Sequence, residues 1–334
     1  MAGSHAHSHA HSHAHSHWHA EGASLSRGAA LATAGVALFL VALKGWSAIA
    51  TGSVAMLGSL ADTLLDFIAS LTTLGAVWIA AKPDDPHHRF GRGKAEALAA
   101  MFQVVLISIS ALALVIDAIQ RLAGGETIRD SGNGLAVSGL AMGATLLLVL
   151  FQRWVLQRAR SVAIAATHLH YKADLALNLS VIAALGLYRW FGVAWADPVF
   201  ALGIAAWLAR GAWLASQEAL DQLMDTEWPL DRRERFLEVL RRHPELRGVH
   251  DLRTRTSGSR DFVQFHAAVD GSMTVAEAHR VMDEIEARLM AEFPGVEVLI
   301  HPDPEGHDED HGPAQATDLL APEVDLARAL AEPR

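Results

Sequence analysis

The chain has 334 residues, of which 51% are hydrophobic, and a formal net charge of −10 at pH 7. This acidic balance, without any stripe of lysine and arginine, argues against a nucleic acid as the partner. Because the sequence contains no cysteine, disulfide frameworks and thiolate metal sites are excluded.

The first 27 residues are dominated by a histidine repeat. In HAHSHAHSHAHSHWHA, a histidine stands at every second position from His5 to His19. The repeat lacks a regular apolar face, so it predicts a disordered, low-complexity, metal-binding tract over residues 1–27. An expression tag is the alternative interpretation, against which the alternation and the interrupting Trp18 argue.

Residues 28–222 contain six weakly charged apolar stretches that are long enough to cross a bilayer. They predict transmembrane helices at 28–51, 54–81, 95–121, 134–157, 162–189 and 197–220. The connections 82–94 and 153–160 are rich in lysine and arginine, whereas those on the opposite side hold few. By the positive-inside rule, both termini are expected in the cytoplasm.

Residues 223–304 change to the charged, alternating pattern of a soluble domain. PLDRRERFLEVLRRH and TVAEAHRVMDEIEARLMAEF have helical periodicity, and GVHDLRTRTS, FVQFHAAVD and VEVLIHPD alternate as strands do. The order αββαβ predicts a small two-layer α+β domain. Residues 305–334 are predicted to be a disordered tail with one candidate short helix.

Two carboxylates interrupt the second span, in SLADTLLDF. Asp62 and Asp66 are four residues apart and therefore share one helical face. In the fifth span, HYKAD gives His170 and Asp174 the same spacing at a similar depth. Ionisable groups in a span cost about 2.5–3.5 kcal/mol each and are typical of ion or proton pathways. Three carboxylates and an imidazole could form a four-ligand site for a divalent metal, with zinc the first choice.

Other interpretations of these groups stay open. The carboxylates could pair with a buried cation such as Lys44, or carry protons without metal. Carboxylates around an imidazole repel one another unless positive charge lies between them, and an exchangeable metal ion or protons would supply that charge. His168 lies about 200° around the helix from His170 and is interpreted as structural.

Five motifs follow one another along the chain: TGSVAMLGSLADTLLDF, KPDDPHHRFGRGKAEALAA, HLHYKADLALN, VHDLRTRTSG and VLIHPD. Together, over about residues 28–304, they resemble the cation diffusion facilitator family, most closely its bacterial zinc and ferrous-iron efflux branch. The resemblance implies a homodimeric metal/proton antiporter of the inner membrane, with six transmembrane helices and a cytoplasmic metallochaperone-like, ferredoxin-like domain. Asp62, Asp66, His170 and Asp174 would form the transport site, and alternating access would export Zn2+ while protons flow inward.

The same resemblance implies a binuclear zinc cluster that stabilises the dimer. Its ligands in the cytoplasmic domain would be His250, His266, His279, His301 and Asp303. The predicted strands agree with this, because His301 and Asp303 lie two apart and so face one side of the last strand. Ordinary surface histidines are the alternative.

A loop site is implied between the second and third spans. Asp85 and His88 match two of its ligands, but the third position is Arg92, a cation that cannot bind metal. Either His87 or Asp84 substitutes, or the loop site is lost.

Two rival functions use the same membrane site. A metal channel would lack proton coupling, and an intramembrane metallohydrolase would need a catalytic base beside an open coordination position. Neither HExxH nor a Walker motif occurs in the sequence. The expected partners are a second copy of the chain, divalent metal ions, protons and membrane lipid, and the only expected bound groups are transported and structural Zn2+. Fe2+, Cd2+, Co2+ and Mn2+ take similar ligands, so the sequence does not fix the metal.

Overall fold

The computed structural model describes residues 10–51, 54–124, 135–193, 195–306, 317–321 and 324–331. The chain divides into two compact units. One is Glu21–Leu223, and the other combines Met1–Ala20 with Met224–Arg334.

Six long helices lead up to Leu223. Their bounds are α1 Ala10–Thr51, α2 Val54–Ala80, α3 Lys94–Gly124, α4 Leu135–Leu156, α5 Val162–Phe191 and α6 Ala196–Leu223. Within the described residues, five of them are long and apolar enough to span a membrane. The exception is α5, because polar residues in its first half lower its hydropathy. The predicted multi-spanning helical fold is confirmed, and the sixth span remains a prediction.

The first helix starts earlier than the sequence pattern indicates. It begins at Ala10 and so includes residues 10–27, which were expected to be disordered. Each residue added to an existing helix gains a hydrogen bond at small cost, and the alanines of this segment favour the helix. This corrects the prediction of disorder for residues 10–27. Residues 1–9 lie outside the described part of the chain.

Small side chains let the helices pack closely at one end of the bundle. This end, where α2 and α4 finish and α3 and α5 begin, is called the loop end below. A buried apolar cluster there draws on α1 to α5: Ala29, Ala30, Ala76, Val77, Ala99, Val155, Ala163 and Ile164. Close packing of small residues is typical of membrane helices, which gain little from the hydrophobic effect between themselves.

The second unit contains the predicted αββαβ domain, and this part of the fold is confirmed. Its elements are α7 Leu230–Leu240, β1 Gly248–Ser257, β2 Arg260–Val269, α8 Val275–Glu292 and β3 Val296–Pro304. The sheet order is β1-β2-β3, with β1 and β2 antiparallel and β2 and β3 parallel. Gly258, with a φ of 62°, provides the positive φ that the tight β1–β2 connection needs.

The core of this domain forms where α7 and α8 pack on the sheet. Its largest members are Trp228, Phe236, Leu237, Leu240, Leu252, Phe265, Ile285 and Leu289. A capping box starts α8: the Thr274 hydroxyl accepts from the backbone of Glu277, whose carboxylate accepts from the backbone of Thr274.

The C-terminal segment docks on this domain. Leu319 is buried in the core, and a short helix, α9 Leu326–Ala331, packs against it. Asp318 Oδ1 accepts hydrogen bonds from the backbone N–H of Val249 and of Leu320, each at 2.9 Å. The tail was expected to be disordered apart from one short helix, and α9 is such a helix. Residues 317–321 differ from the expectation, because Leu319 and the backbone-binding carboxylate of Asp318 anchor them.

Candidate metal sites

A three-residue group joins α2 to α5 inside the helical bundle. His170 Nε2 lies 2.8 Å from Asp66 Oδ1 and 3.5 Å from Asp174 Oδ2. The helical spacing of four residues places His170 and Asp174 on the same face of α5, opposite Asp66. Their ligand atoms all lie within 4.8 Å of one another.

The geometry of this group suits a tetrahedral divalent metal. Zinc bonds of about 2.0–2.2 Å place neighbouring ligand atoms roughly 3.3–3.6 Å apart. The His170–Asp174 separation of 3.5 Å lies in this range, whereas the His170–Asp66 contact of 2.8 Å is a hydrogen bond that a bound metal would lengthen. The fourth predicted ligand, Asp62, lies one turn earlier on α2, where it is exposed and outside the group. The structure therefore brings together three of the four predicted ligands.

Two neighbouring polar residues have partners of their own. The Lys44 ammonium donates to Thr63 Oγ1 at 2.7 Å, so its hydrogen bond goes to a hydroxyl. His168 Nδ1 lies 3.3 Å from Gln152 Oε1, which agrees with a structural role. Neither of these two hydrogen bonds involves a carboxylate of the group.

A second group lies on the sheet of the αββαβ domain, across all three strands. His250 pairs in register with His266, and His266 pairs in register with His301. Asp303 follows two residues after His301 and is buried among them. One of its oxygens lies 2.8 Å from His266 Nδ1 and 3.4 Å from His250 Nε2, and the other lies 3.8 Å from His301 Nε2. The ligand atoms of His250, His266 and Asp303 lie within 4.8 Å of one another, and two imidazoles with a carboxylate are a ligand set that zinc accepts. His301 lies next to this group without being part of it.

A β-bulge lies next to His250, and the alternation of the sequence does not predict it. The β1–β2 register shifts between His250 and Arg253, and Asp251 has a φ of 48°. A bulge turns neighbouring side chains relative to a regular strand and is frequent beside functional sites. Aspartate tolerates the left-handed conformation better than most residues, and this was the one signal in the sequence.

His279 does not join the group within this chain. It lies on α8 with 75% of its side chain exposed, and its Nδ1 is 3.4 Å from Asp283 Oδ1. It lines a cavity of about 490 Å3 between α8 and β3, and Asp303 lines the same cavity. The imidazole therefore faces the space next to the cluster without touching its ligands.

Comparison with known proteins identifies the family. Residues 30–224 match the cation efflux transmembrane domain, and residues 228–305 match the cation efflux protein cytoplasmic domain. The chain belongs to the cation efflux family. It is a multi-pass membrane transporter of that family and not an enzyme.

Curated relatives cover most of the chain. The cation-efflux pump FieF of Serratia proteamaculans (strain 568) is 42% identical over 282 residues, which cover 84% of this chain and 94% of the relative. FieF of Cronobacter sakazakii is 41% identical over 276 residues, covering 83% and 92%. The solved structure of CzrB in its zinc form is 41% identical over 25% of this chain and 98% of that one, with a TM-score of 0.24. The metal-bound C-terminal domain of CzcD from Thermotoga maritima is 32% identical over 24% and 94%, with a TM-score of 0.23.

The loop between α2 and α3 departs from the ligand set that the cation efflux resemblance implies. Asp85 Oδ1 accepts from the backbone N–H of His88 at 2.9 Å and lies 3.1 Å from the ring nitrogen Nδ1 of His88. Arg92 Nη2 donates to the other oxygen of Asp85 and lies 3.1 Å from the same His88 Nδ1. The guanidinium thus occupies the position between the two predicted ligands.

The contacts in this loop are those of a carboxylate paired with the guanidinium of Arg92. Hydrogen bonds from the His88 side chain, the Arg92 guanidinium and backbone N–H groups lower the pKa of Asp85 from 3.8 to about 2. The lowered pKa keeps the Asp85 carboxylate ionised at neutral pH. Among the described residues, the groups that could hold a metal do not include residues of this loop. The structure favours the alternative that the loop site is lost.

Proposed function

We propose that this transporter exports Zn2+ in exchange for protons by alternating access. The observation that carries the proposal is the Asp66–His170–Asp174 group, inside the bundle of a cation efflux family chain. Carboxylates and imidazole bind zinc when deprotonated and bind protons when the metal leaves, so one group can serve both cargoes. The FieF relatives, at 41–42% identity, are named cation-efflux pumps.

Asp62 is proposed as the fourth ligand of the transported ion. It shares a helical face with Asp66, one turn further from the loop end. A small shift of α2 against α5 would bring its carboxylate to the ion. Such a shift between two packed helices is the kind of motion that alternating access requires.

The chain is proposed to lie in the inner membrane as a homodimer, with both termini in the cytoplasm. The basic connections 82–94 and 153–160 support this orientation through the positive-inside rule. His250, His266, His301 and Asp303 would hold structural zinc in the cytoplasmic domain. His279 is exposed in one chain, so it would join the cluster when a second copy binds.

Zinc uptake into sealed vesicles at several imposed pH gradients tests the function. Uptake by the wild-type protein is expected to follow the gradient, and Asp66→Ala is expected to lower it at least tenfold because the ion loses a ligand. Asp117→Asn is the matched control: this carboxylate is exposed on α3 and paired with Arg121 in the same helix. Uptake that ignores the gradient would favour a channel, and normal uptake by Asp66→Ala would place the site elsewhere.

A further inference from the structure

We infer that two buried hydroxyl pairs latch α2 to α5 between the metal group and the loop end, and that they must separate before an ion can pass between that end and the group. The inference rests on the proposed transport function, because a latch matters only if ions travel through the bundle. Both pairs lie within the unit Glu21–Leu223. They connect residues that the transport proposal does not use.

The first pair lies directly beside the metal group. Ser70 Oγ is 3.1 Å from the hydroxyl of Tyr171, and each residue is 2% exposed. Ser70 already donates its single proton to the backbone oxygen of Asp66 at 2.8 Å. Tyr171 must therefore be the donor in the pair. Since Asp66 and His170 are themselves in contact, this pair closes a ring that includes two residues of the metal group.

The second pair lies nearer the loop end. Thr73 Oγ1 is 3.2 Å from Thr167 Oγ1, and the residues are 1% and 2% exposed. Thr167 donates its proton to the backbone oxygen of Ala163 at 2.9 Å, so Thr73 must donate to Thr167. Each hydroxyl in both pairs thus has a fixed direction of donation. Pairs with fixed donors hold two helices in one register.

Exposure along α2 and α5 shows which side is closed. The side chains of Asp174 and Asp66 are 36% and 27% exposed, and Asp62 beyond them is exposed. Towards the loop end, exposure falls to the buried hydroxyl pairs and then to the apolar cluster with Ala76 and Ala163. The contacts between the group and the loop end are therefore buried, whereas Asp62 on the opposite side of the group is exposed.

Buried hydroxyls between membrane helices often serve only as glue. A hydroxyl pair that only stabilises the fold and a pair that acts as a latch differ in what changes when the pair is removed. Loss of glue lowers the stability of the fold, whereas loss of a latch raises access to the closed side while the fold remains intact. An access measurement therefore separates the two roles.

The absence of cysteine makes such a measurement direct. In an Ala76→Cys background, the only thiol lies in the buried cluster beyond the second pair. Adding Thr73→Val is expected to raise its labelling rate by a membrane-impermeant maleimide about three- to twentyfold, the range for one interhelical hydrogen bond in a membrane protein. Thr72→Val is the matched control, because this neighbouring threonine is exposed and donates only to its own helix. Equal labelling of both variants, with equal thermal stability, would overturn the inference.

A crosslink tests the latch from the opposite direction. Thr73→Cys with Thr167→Cys, once oxidised, is expected to lower zinc uptake into vesicles at least tenfold, with recovery on reduction. Each single-cysteine variant under the same oxidant is the control, and intact-mass measurement establishes that the bond has formed. Normal uptake by the crosslinked protein would overturn the latch. Labelling needs no transport, so it decides the latch even if the wild-type protein moves no zinc, a result that would refute the proposed function alone.

Discussion

The guanidinium of Arg92 provides the positive charge that a metal ion would otherwise provide in this loop. Its guanidinium contacts the carboxylate of Asp85 and the ring of His88, the two groups that would otherwise hold a metal ion. A metal ion at this position would be repelled by the fixed positive charge. The ligand lone pairs that it needs would already be engaged by the guanidinium. The loop contacts are therefore expected to form without metal.

Arg92→His is expected to add one zinc equivalent to the binding stoichiometry. The change removes the competing cation and provides a third ligand beside Asp85 and His88. Zinc titration of the purified protein measures the stoichiometry, with Arg89→His, an exposed arginine of the same loop, as the control. If Arg92→His and Arg89→His bind the same amount of zinc as the wild-type protein, the loop lacks the assigned geometry.

Asp251 lies at the β-bulge that follows His250 in β1. Its φ of 48° allows the bulge, and its carboxylate contacts Arg253 at 2.8 Å. Valine resists this conformation because of its branched Cβ, whereas glycine adopts it freely. Both substitutions remove the contact with Arg253, so the backbone is what distinguishes them.

Asp251→Val is expected to weaken zinc binding at the His250 cluster about 10- to 100-fold, the usual cost of losing support around a metal ligand. Asp251→Gly is expected to bind zinc at this cluster with an affinity within a few-fold of that of the wild-type protein. Zinc titrations in an Asp66→Ala background remove the contribution of the membrane site. Equal affinities for the two variants would show that the bulge does not orient His250.

At the scale of elements, the docked C-terminal segment protects the open edge of β1. β1 is an edge strand, and the backbone N–H of Leu319 donates to Val249 O at 2.7 Å. Unpaired strand edges invite association with other chains, and covering them prevents it. The segment also adds Leu319 to the core, so it contributes to the stability of the domain as well as to its solubility.

Leu319→Ala is expected to destabilise this domain by about 2–5 kcal/mol, the usual cost of truncating a buried leucine. Val275→Ala, at a position 88% exposed, is expected to change stability by no more than about 0.5 kcal/mol. Hydrogen exchange of the β1 amides in the full-length protein reports the difference. Unchanged protection in Leu319→Ala would mean that the segment docks without stabilising the sheet.

At the scale of the whole molecule, the sequence predicted the features that depend on local spacing. His170 and Asp174 are four apart on one helix and share a face wherever that helix packs. Asp66 lies at a similar depth on another helix, so the three could be assigned to one site in advance. The helices, the strands and their order followed from hydropathy and alternation. The αββαβ order was legible because each strand and helix carries its own period.

The features that the sequence did not reveal depend on partners distant along the chain. Nothing about Ser70 or Thr73 indicates which hydroxyl of α5 each meets, because that depends on helix rotation. The docking of Leu319 requires a vacant strand edge that only the folded sheet presents. The role of Arg92 was uncertain because its side chain can reach either solvent or Asp85.

The in-register histidines of the sheet have a consequence for how this protein tolerates change. His250, His266 and His301 meet because their strands align, while 16 and 35 residues separate them along the chain. Lengthening a surface connection costs little loop entropy, so insertions at the Gly258 turn would leave the three imidazoles together. A single residue inserted within a strand would reverse the side chains beyond it. The proposed metal cluster therefore tolerates insertions in the loops but not a one-residue shift in strand register.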